Sequence, residues 1–247
     1  MPIICGLLGS KMPNKAKEKF KTMHNVFDEF TNRTLFKLIS EGYFEGLESP
    51  ISIGKEANIF SAKTKDNSRV MVKIYRLESC DFNKMFDYIK EDPRYADIKG
   101  KRRKIIFFWV QREYRNLLKA REANVNVPTP LTFKNNVLIL EFIGNKDKVS
   151  DRLSVDSPKK PKEFFDKIIK NMKNLYKAGL VHADLSPFNI LNHNQEPVFI
   201  DFSQATPLAS SRAKEFLKRD IKNICTFFRK LKLKVDETQV LKKVQES

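Results

Sequence analysis

Val181-His182-Ala183-Asp184-Leu185-Ser186-Pro187-Phe188-Asn189-Ile190-Leu191, followed after a hydrophilic turn by Val198-Phe199-Ile200-Asp201-Phe202-Ser203, decides how the chain reads. An HxDxxxxN loop puts Asp184 and Asn189 on one rim, and the apolar strand 198 to 200 delivers Asp201 beside Asn189. Three oxygen ligands then converge on a hard divalent cation. Where a phosphoryl group leaves a nucleotide for a hydroxyl, the Asp of such a loop orients or deprotonates the nucleophile. Its Asn and the second Asp hold magnesium against the phosphates. The plainer reading is a capped turn, because turns use Asp and Asn freely; Asp201 in its expected place argues against it. His182 is read as a support for the loop through hydrogen bonds and is given no chemical step.

Upstream, Lys73 sits in Val70-Met71-Val72-Lys73-Ile74, where a third strand points a lysine at the α- and β-phosphates. Glu113, on the following helix, is placed to pair with it and hold it extended. Alone, a strand lysine is usually a solvated face. The order carries the case: lysine strand, glutamate helix, HxDxxxxN, then an apolar strand ending in Asp. Ahead of them, Ser52-Ile53-Gly54-Lys55-Glu56-Ala57-Asn58 has one glycine where a phosphate-covering GxGxxG loop has three. One glycine permits a tight turn and a close backbone approach, and Lys55 adds charge over the phosphates; by itself the segment is a plain hairpin.

The flanking pattern predicts an α+β, bilobal fold. Residues 22–41 carry apolar positions at helical spacing, then 51–53, 57–60 and 70–75 read as a three-strand meander. Residues 76–104 are highly charged with little periodicity, interrupted at Asp92-Pro93 and Gly100, and predict a partly mobile excursion. A helix follows over 105–121 with Trp109, Glu113, Tyr114, Leu117 and Leu118 inward, then a hairpin about Asn135-Asn136. The Lys-, Asp-, Ser- and Pro-rich stretch 144–162 lacks apolar rhythm and separates a strand-rich from a helix-rich part. A helical stripe from Phe164 to Tyr176, ending at Gly179, and a further helix over 209–232 are expected. The expected organisation is a helical extension over 1–48, an N-lobe over 49–144 with its charged insertion, and a reduced C-lobe over 145–247.

Composition adds a partner class. With 47 Lys+Arg against 30 Asp+Glu the net charge is +17, which favours polyanions such as RNA, DNA or an anionic membrane surface, or serves only solubility. Three scattered cysteines, Cys5, Cys80 and Cys225, indicate neither a disulfide framework nor a zinc site and point to a reducing compartment. The apolar start Met1 to Leu8 lacks a basic n-region, and no apolar run approaches membrane-spanning length. A soluble, cytoplasmic protein is expected.

The segments Gly54-Lys55-Glu56-Ala57-Asn58, Val72-Lys73-Ile74-Tyr75, Glu113 to Leu117, Leu140-Glu141-Phe142-Ile143-Gly144, Val181 to Leu191 and Ile200 to Ala205 resemble the RIO family of atypical serine/threonine kinases, its type-one subfamily most closely. The resemblance runs from about residue 30 to about 232. It implies a protein-kinase-like fold and an enzyme that depends on ATP and on magnesium or manganese. Asp184 would be the catalytic base, Asn189 and Asp201 metal ligands, Lys73 the phosphate contact and Glu113 its partner. Ser52, Gly54, Lys55, Glu56 and Ala57 would cover the phosphates, and Glu141 and Ile143 would offer backbone groups to adenine. It further implies work in maturation of the small ribosomal subunit, on a pre-ribosomal particle and its rRNA, by ATP hydrolysis with phosphate transiently on Asp201 more than by protein phosphorylation. The chain departs from the family at Ile53, where Thr is usual, and at Pro187-Phe188, where Glu-Tyr is usual.

Only 46 residues follow Asp201 and no APE-like motif appears, so the peptide platform of ordinary protein kinases is not expected. Two other readings remain open at this point. A small-molecule kinase shares the HxDxxxxN loop but carries large helical insertions after the distal Asp. A catalytically silent scaffold would bind pre-ribosomal RNA through basic residues 99–104 and 159–162, and would gain nothing from keeping both Asp184 and Asp201.

Overall fold

A five-stranded antiparallel sheet covered on both faces explains why its middle strands are apolar almost throughout. The computed structural model describes residues 27–78, 80–90, 102–145 and 148–246. Expectations placed on residues 1–26 and 91–101, among them the apolar start, Asp92-Pro93 and Gly100, lie outside the described residues. β1 (Gly46–Ile53), β2 (Ala57–Lys63) and β3 (Arg69–Tyr75) make the expected meander, and β4 (Pro130–Lys134) and β5 (Val137–Glu141) the expected hairpin. β5 lies against β3, giving the order β1-β2-β3-β5-β4.

The period of two along β3 assigns each residue its neighbourhood. Val70, Val72 and Ile74 join Val137 and Ile139 in a cluster closed by Leu35 and Leu38 of helix α1 (Glu29–Ser40). Met71 and Tyr75 belong to the larger cluster on the opposite face. Lys73 shares the parity of Met71 and Tyr75, so its stem leaves the sheet on that side. The outer helix is started by Asp28, whose carboxylate accepts the Thr31 N–H at 3.0 Å. It is tied to the β4–β5 turn, where the Asn136 amide donates to Thr31 Oγ1 at 2.9 Å and to the Tyr75 carbonyl at 2.8 Å.

Three stretches are more ordered than their composition predicts. Within the charged excursion, helix α2 (Phe82–Lys90) buries Met85, Tyr88 and Ile89. Those three positions carry the helical spacing that the surrounding charge conceals. Helix α3 (Arg102–Glu122) buries Trp109, Glu113 and Leu117 as expected, with Arg112 and Asn116 beside them. Leu118, expected inward, is 36% exposed, because a 3.6-residue turn carries it past the edge of that stripe.

The 144–162 stretch forms a short ladder, β6 (Gly144–Asn145) with β7 (Lys148–Val149), and one anchor, Leu153, is wholly buried. Its backbone is fixed to the loop around Asn189 by Leu153 N–H to the Ile190 carbonyl, 2.8 Å, and Ser154 N–H to the Pro187 carbonyl, 3.1 Å. A single anchor leaves no periodic trace. Helices α4 (Pro161–Lys177) and α5 (Ala213–Lys230) match expectation, and a further helix, α6 (Glu237–Gln245), follows. Asp236 caps α6, and Val240 and Val244 bury against the core.

Between α4 and α5 the quoted loop, which opens on the short strand β8 (Leu180–Val181), and the strand pair β9 (Ile190–His193) and β10 (Glu196–Phe199) sit side by side. His182 joins them from within. It is buried against the rings of Phe199 and Phe202, and its Nε2 lies 3.0 Å from the Ile200 carbonyl. Burial lowers its pKa from 6.5 to about 4. A folded-state value below the unfolded one means stability is fully present above pH 6.5 and is lost as pH falls through 4. Between those limits His182 accounts for a slope approaching ~1.4 kcal/mol per pH unit, roughly 3 kcal/mol in all. Urea unfolding from pH 7.5 to 4.5 measures it: His182→Asn, although less stable at neutral pH, is expected to lose stability less steeply with acid, and equal slopes would refute the assignment.

Candidate active site

The crevice between the sheet and the two loops encloses a cavity of about 550 Å³, whose walls include Ser52, Lys73, Glu113, Asn189 and Asp201. That volume matches the usual size of a small-molecule site. Lys73 stands at its centre. Its Nζ is 2.7 Å from Glu113 Oε1 and 3.1 Å from Asp201 Oδ1, so one buried ammonium joins β3, α3 and the segment after β10. Burial opposes the charge on Lys73, but the two carboxylates outweigh it and raise its pKa. Burial likewise draws Glu113 upward, against the pull of Lys73. Tyr75, two residues from Lys73 on the same face, donates its hydroxyl to the other Glu113 oxygen at 2.5 Å. Sequence reading missed Tyr75, although strand parity alone places it beside Lys73.

Asp201 has a left-handed backbone, φ 63° and ψ 69°, a conformation that costs a non-glycine residue of order 1 kcal/mol. The turn is held by its surroundings. Ile200 N–H donates to the Asn189 carbonyl at 3.0 Å and Ser203 Oγ donates to Asp201 Oδ1 at 2.8 Å. From α3, Arg112 Nη1 donates to the Ser203 carbonyl at 2.8 Å, and Asn116 Nδ2 to the carbonyls of Phe202 and Ala205 at 3.1 and 2.9 Å. Removal from water would raise the Asp201 pKa, but the Lys73 ammonium and the Ser203 hydroxyl reverse this and hold it at about 2. Asp201 is therefore an anion at every physiological pH.

Asp184 and Asn189 share the adjoining loop. Asn189 Nδ2 donates to the Asp184 carbonyl at 2.8 Å and to its carboxylate at 3.1 Å, and Gln204 Nε2 reaches the same carboxylate oxygen at 3.3 Å. Burial and then the neighbouring Asp201 raise the Asp184 pKa, while Arg219 and Lys84 lower it. The loop bends at Ala183, φ 64°, and the bend is held from α5. Asp220, buried, accepts the N–H groups of Ala183 and Leu185, both at 2.8 Å, and Asn223 Nδ2 donates to the Leu185 carbonyl at 3.1 Å. Burial pushes Asp220 up to about 7 despite those donors. Neither Gln204 nor Asp220 has a short-range sequence signature; both are found only by contact across more than fifteen residues.

The other expected residues frame the crevice without lining its walls. Gly54 makes the tight turn: its N–H donates to the Ala57 carbonyl at 3.0 Å, and a Cβ there would stand 2.9 Å from that oxygen. Lys55 is exposed at the turn, and the Glu56 carboxylate lies 4.0 Å from Lys84 of α2. Glu141, the last residue of β5, donates its N–H to the Thr129 carbonyl at 2.8 Å, and Ile143 accepts the Ser150 N–H at 3.0 Å; their neighbours Leu140 and Phe142 border the cavity.

This architecture and arrangement have known relatives. The RIO domain family model matches residues 58–240. The chain is 39% identical over 220 residues to the RIO-type serine/threonine-protein kinase Rio1 of Haloferax volcanii, covering 89% of this chain and 76% of that one. It is 41% identical over 221 residues to Rio1 of Methanocaldococcus jannaschii, covering 87% and 74%, and 34% identical over 219 residues to human serine/threonine-protein kinase RIO1, covering 87% and 39%. Among solved structures, the Rio2 kinase–ADP/Mg2+–phosphoaspartate complex of Chaetomium thermophilum superposes with a TM-score of 0.68 at 20% identity, over 88% of this chain and 67% of that one, a likeness of fold. With a matching domain over most of its length and relatives above 30% identity, the chain belongs to the RIO family of serine/threonine-protein kinases.

Proposed function

We propose that the crevice binds ATP with magnesium or manganese and that the γ-phosphoryl group passes either to a Ser or Thr hydroxyl or, transiently, to Asp201, whose acyl phosphate water then hydrolyses. The observation that carries this reading is Lys73 held between Glu113 and Asp201 across a nucleotide-sized cavity. Lys73 meets the phosphates, and Glu113 with Tyr75 keeps it extended. The hinge contacts to adenine fall to the Glu141 carbonyl and the Ile143 N–H. Ser52 and the Gly54–Ala57 turn cover the phosphates, with Lys55 above them.

The donor set fits a small hard cation. Asn189 commits its amide N–H groups to Asp184, so its carbonyl oxygen is the atom it would offer a cation, and Asp201 is an anion. Among the described residues no group of three or more His, Cys, Asp or Glu converges as a metal centre. Two protein oxygens completed by phosphates and water are what magnesium takes. The bound cation would screen the phosphate charge; the remaining work falls to the side chains.

In transfer to Asp201, a carboxylate oxygen attacks the γ-phosphorus and the bond to the β,γ-bridging oxygen breaks, releasing ADP. In the second half water attacks the same phosphorus, Asp184 accepts its proton, and the Asp201 carboxylate and inorganic phosphate separate. With a Ser or Thr acceptor, Asp184 takes the hydroxyl proton instead. The phosphoaspartate in the Rio2 complex supports the first route by analogy.

The partner we infer is an RNA-containing particle, the pre-ribosomal small subunit, met in the cytoplasm. The net charge of +17 supports a polyanion. So does a row of exposed lysines on α5, Lys214, Lys218 and Lys222, one helical turn apart. Like charges at i and i+4 destabilise a helix by a few tenths of a kcal/mol each, a cost that an anionic partner reverses. Among the described residues no helix is long and apolar enough to cross a membrane.

Two experiments test this. Incubation with γ-labelled ATP and magnesium, followed by hydroxylamine, is expected to release label from the wild type; label resistant to hydroxylamine would place it on Ser or Thr, and neither label nor hydrolysis would leave the scaffold reading. Asp201→Asn, which keeps the left-handed turn accessible, should lower magnesium-dependent turnover by about a thousandfold, whereas Asp184→Ala retains nucleotide binding. Separately, RNA association should weaken steeply with salt, and replacing Lys214, Lys218 and Lys222 by Gln should flatten the log K against log salt slope by about 2. A slope unchanged by that replacement would move the RNA surface elsewhere.

A further inference from the structure

A second cation, Lys84, stands beside the Gly54–Ala57 turn, carried there by the helix that composition hides. α2 is anchored by Tyr88, whose ring stacks on Phe216 of α5 at 5.6 Å and meets Trp109 of α3 edge-on at 6.0 Å. Anchored at that end, its first turn reaches the phosphate-covering loop. Asp81 accepts the Lys84 N–H at 3.0 Å, and Cys80 Sγ lies 3.3 Å from the Glu56 carbonyl. The Lys84 ammonium is 4.0 Å from the Glu56 carboxylate, with the two side chains 48% and 37% exposed.

That pair is loose by every physical measure. Its distance is at the limit of an ion pair, both partners are hydrated, and exposed pairs of this kind hold one another by about 1 kcal/mol or less. Lys84 has a flexible four-carbon stem and a compact charge, so it exchanges partners cheaply. Glu113 and Asp201 already hold the buried ammonium of Lys73, while Glu56 and Asp184 bring two further carboxylates beside the crevice. Lys84, after Arg219, also favours the charged form of the Asp184 carboxylate. A triphosphate entering there adds negative charge at the end farthest from Lys73.

We propose that Lys84 is a phosphate-contacting residue of the reaction: its ammonium leaves Glu56 for the γ-phosphoryl group and neutralises the oxygens that gain charge as the group moves. Glu56 is the resting partner that holds Lys84 beside that turn when no γ-phosphate is bound. Because ADP lacks that group, Lys84 serves ATP selectively. The inference rests on the crevice being the nucleotide site.

The test is ATP and ADP affinity, with magnesium, together with single-turnover hydrolysis, in the wild type, Lys84→Met, Lys84→Arg and Asn83→Ala. Lys84→Met is expected to lower the single-turnover rate by at least about tenfold and to weaken ATP while leaving ADP within about twofold. Lys84→Arg, which keeps the charge, should recover most of the rate, and Asn83→Ala, on the same exposed turn, should change nothing. Equal weakening of ATP and ADP, or an undiminished rate in Lys84→Met, overturns the Lys84 assignment alone. Failure of the wild type to bind ATP at all overturns the crevice reading beneath it.

Discussion

One ammonium group, Lys73 Nζ, lies between the carboxylates of Glu113 and Asp201, and the remainder of the site is arranged to keep it there. A buried lysine with a single partner lost leaves an uncompensated charge, at a cost of about 3–5 kcal/mol. The fold meets this constraint by drawing both carboxylates to one helix. α3 supplies Glu113 directly, and through Arg112 and Asn116 it grips the backbone that follows Asp201. Sheet, helix and the Asp201 loop are therefore positioned by neighbouring residues on one face of one helix, 112, 113 and 116.

The neighbouring loop is fixed from a different direction. Asp220 of α5 accepts two consecutive-turn amides, and Arg219 and Asn223 donate to carbonyls at Ala183 and Leu185. Both loops contain a residue in the left-handed region, Ala183 and Asp201. Such conformations persist where surrounding contacts over-determine them, and here those contacts come from α3 for one loop and α5 for the other. α2 touches both helices through Tyr88, and its first turn lies beside the Gly54–Ala57 turn.

What the sequence made legible follows from the range of each interaction. Strand parity, helix stripes and the HxDxxxxN spacing are local, and they point to the sheet, α3, α4, Lys73, Glu113, Asn189 and Asp201. The stretches with little local signal are those in which charge or polarity outnumbers a few anchors: α2 with Met85, Tyr88 and Ile89, the 144–162 connection with Leu153, and the short α6. Leu117 and Leu118 are equally apolar, and only the helical angle separates the buried one from the exposed one. Tyr75 was readable from parity and overlooked. Gln204 and Asp220 act on Asp184 and its loop from distant positions, and no local pattern encodes such contacts.

The account is tested most directly by a crystal structure of the protein with magnesium and a non-hydrolysable ATP analogue. It predicts the cation on the Asp201 and Asn189 oxygens, Lys73 Nζ against the α- and β-phosphates with its Glu113 contact intact, and adenine beside Leu140 and Phe142. Nucleotide seated outside this cavity, or a Lys73 turned away from the phosphates with the cation distant from Asp201, would contradict it.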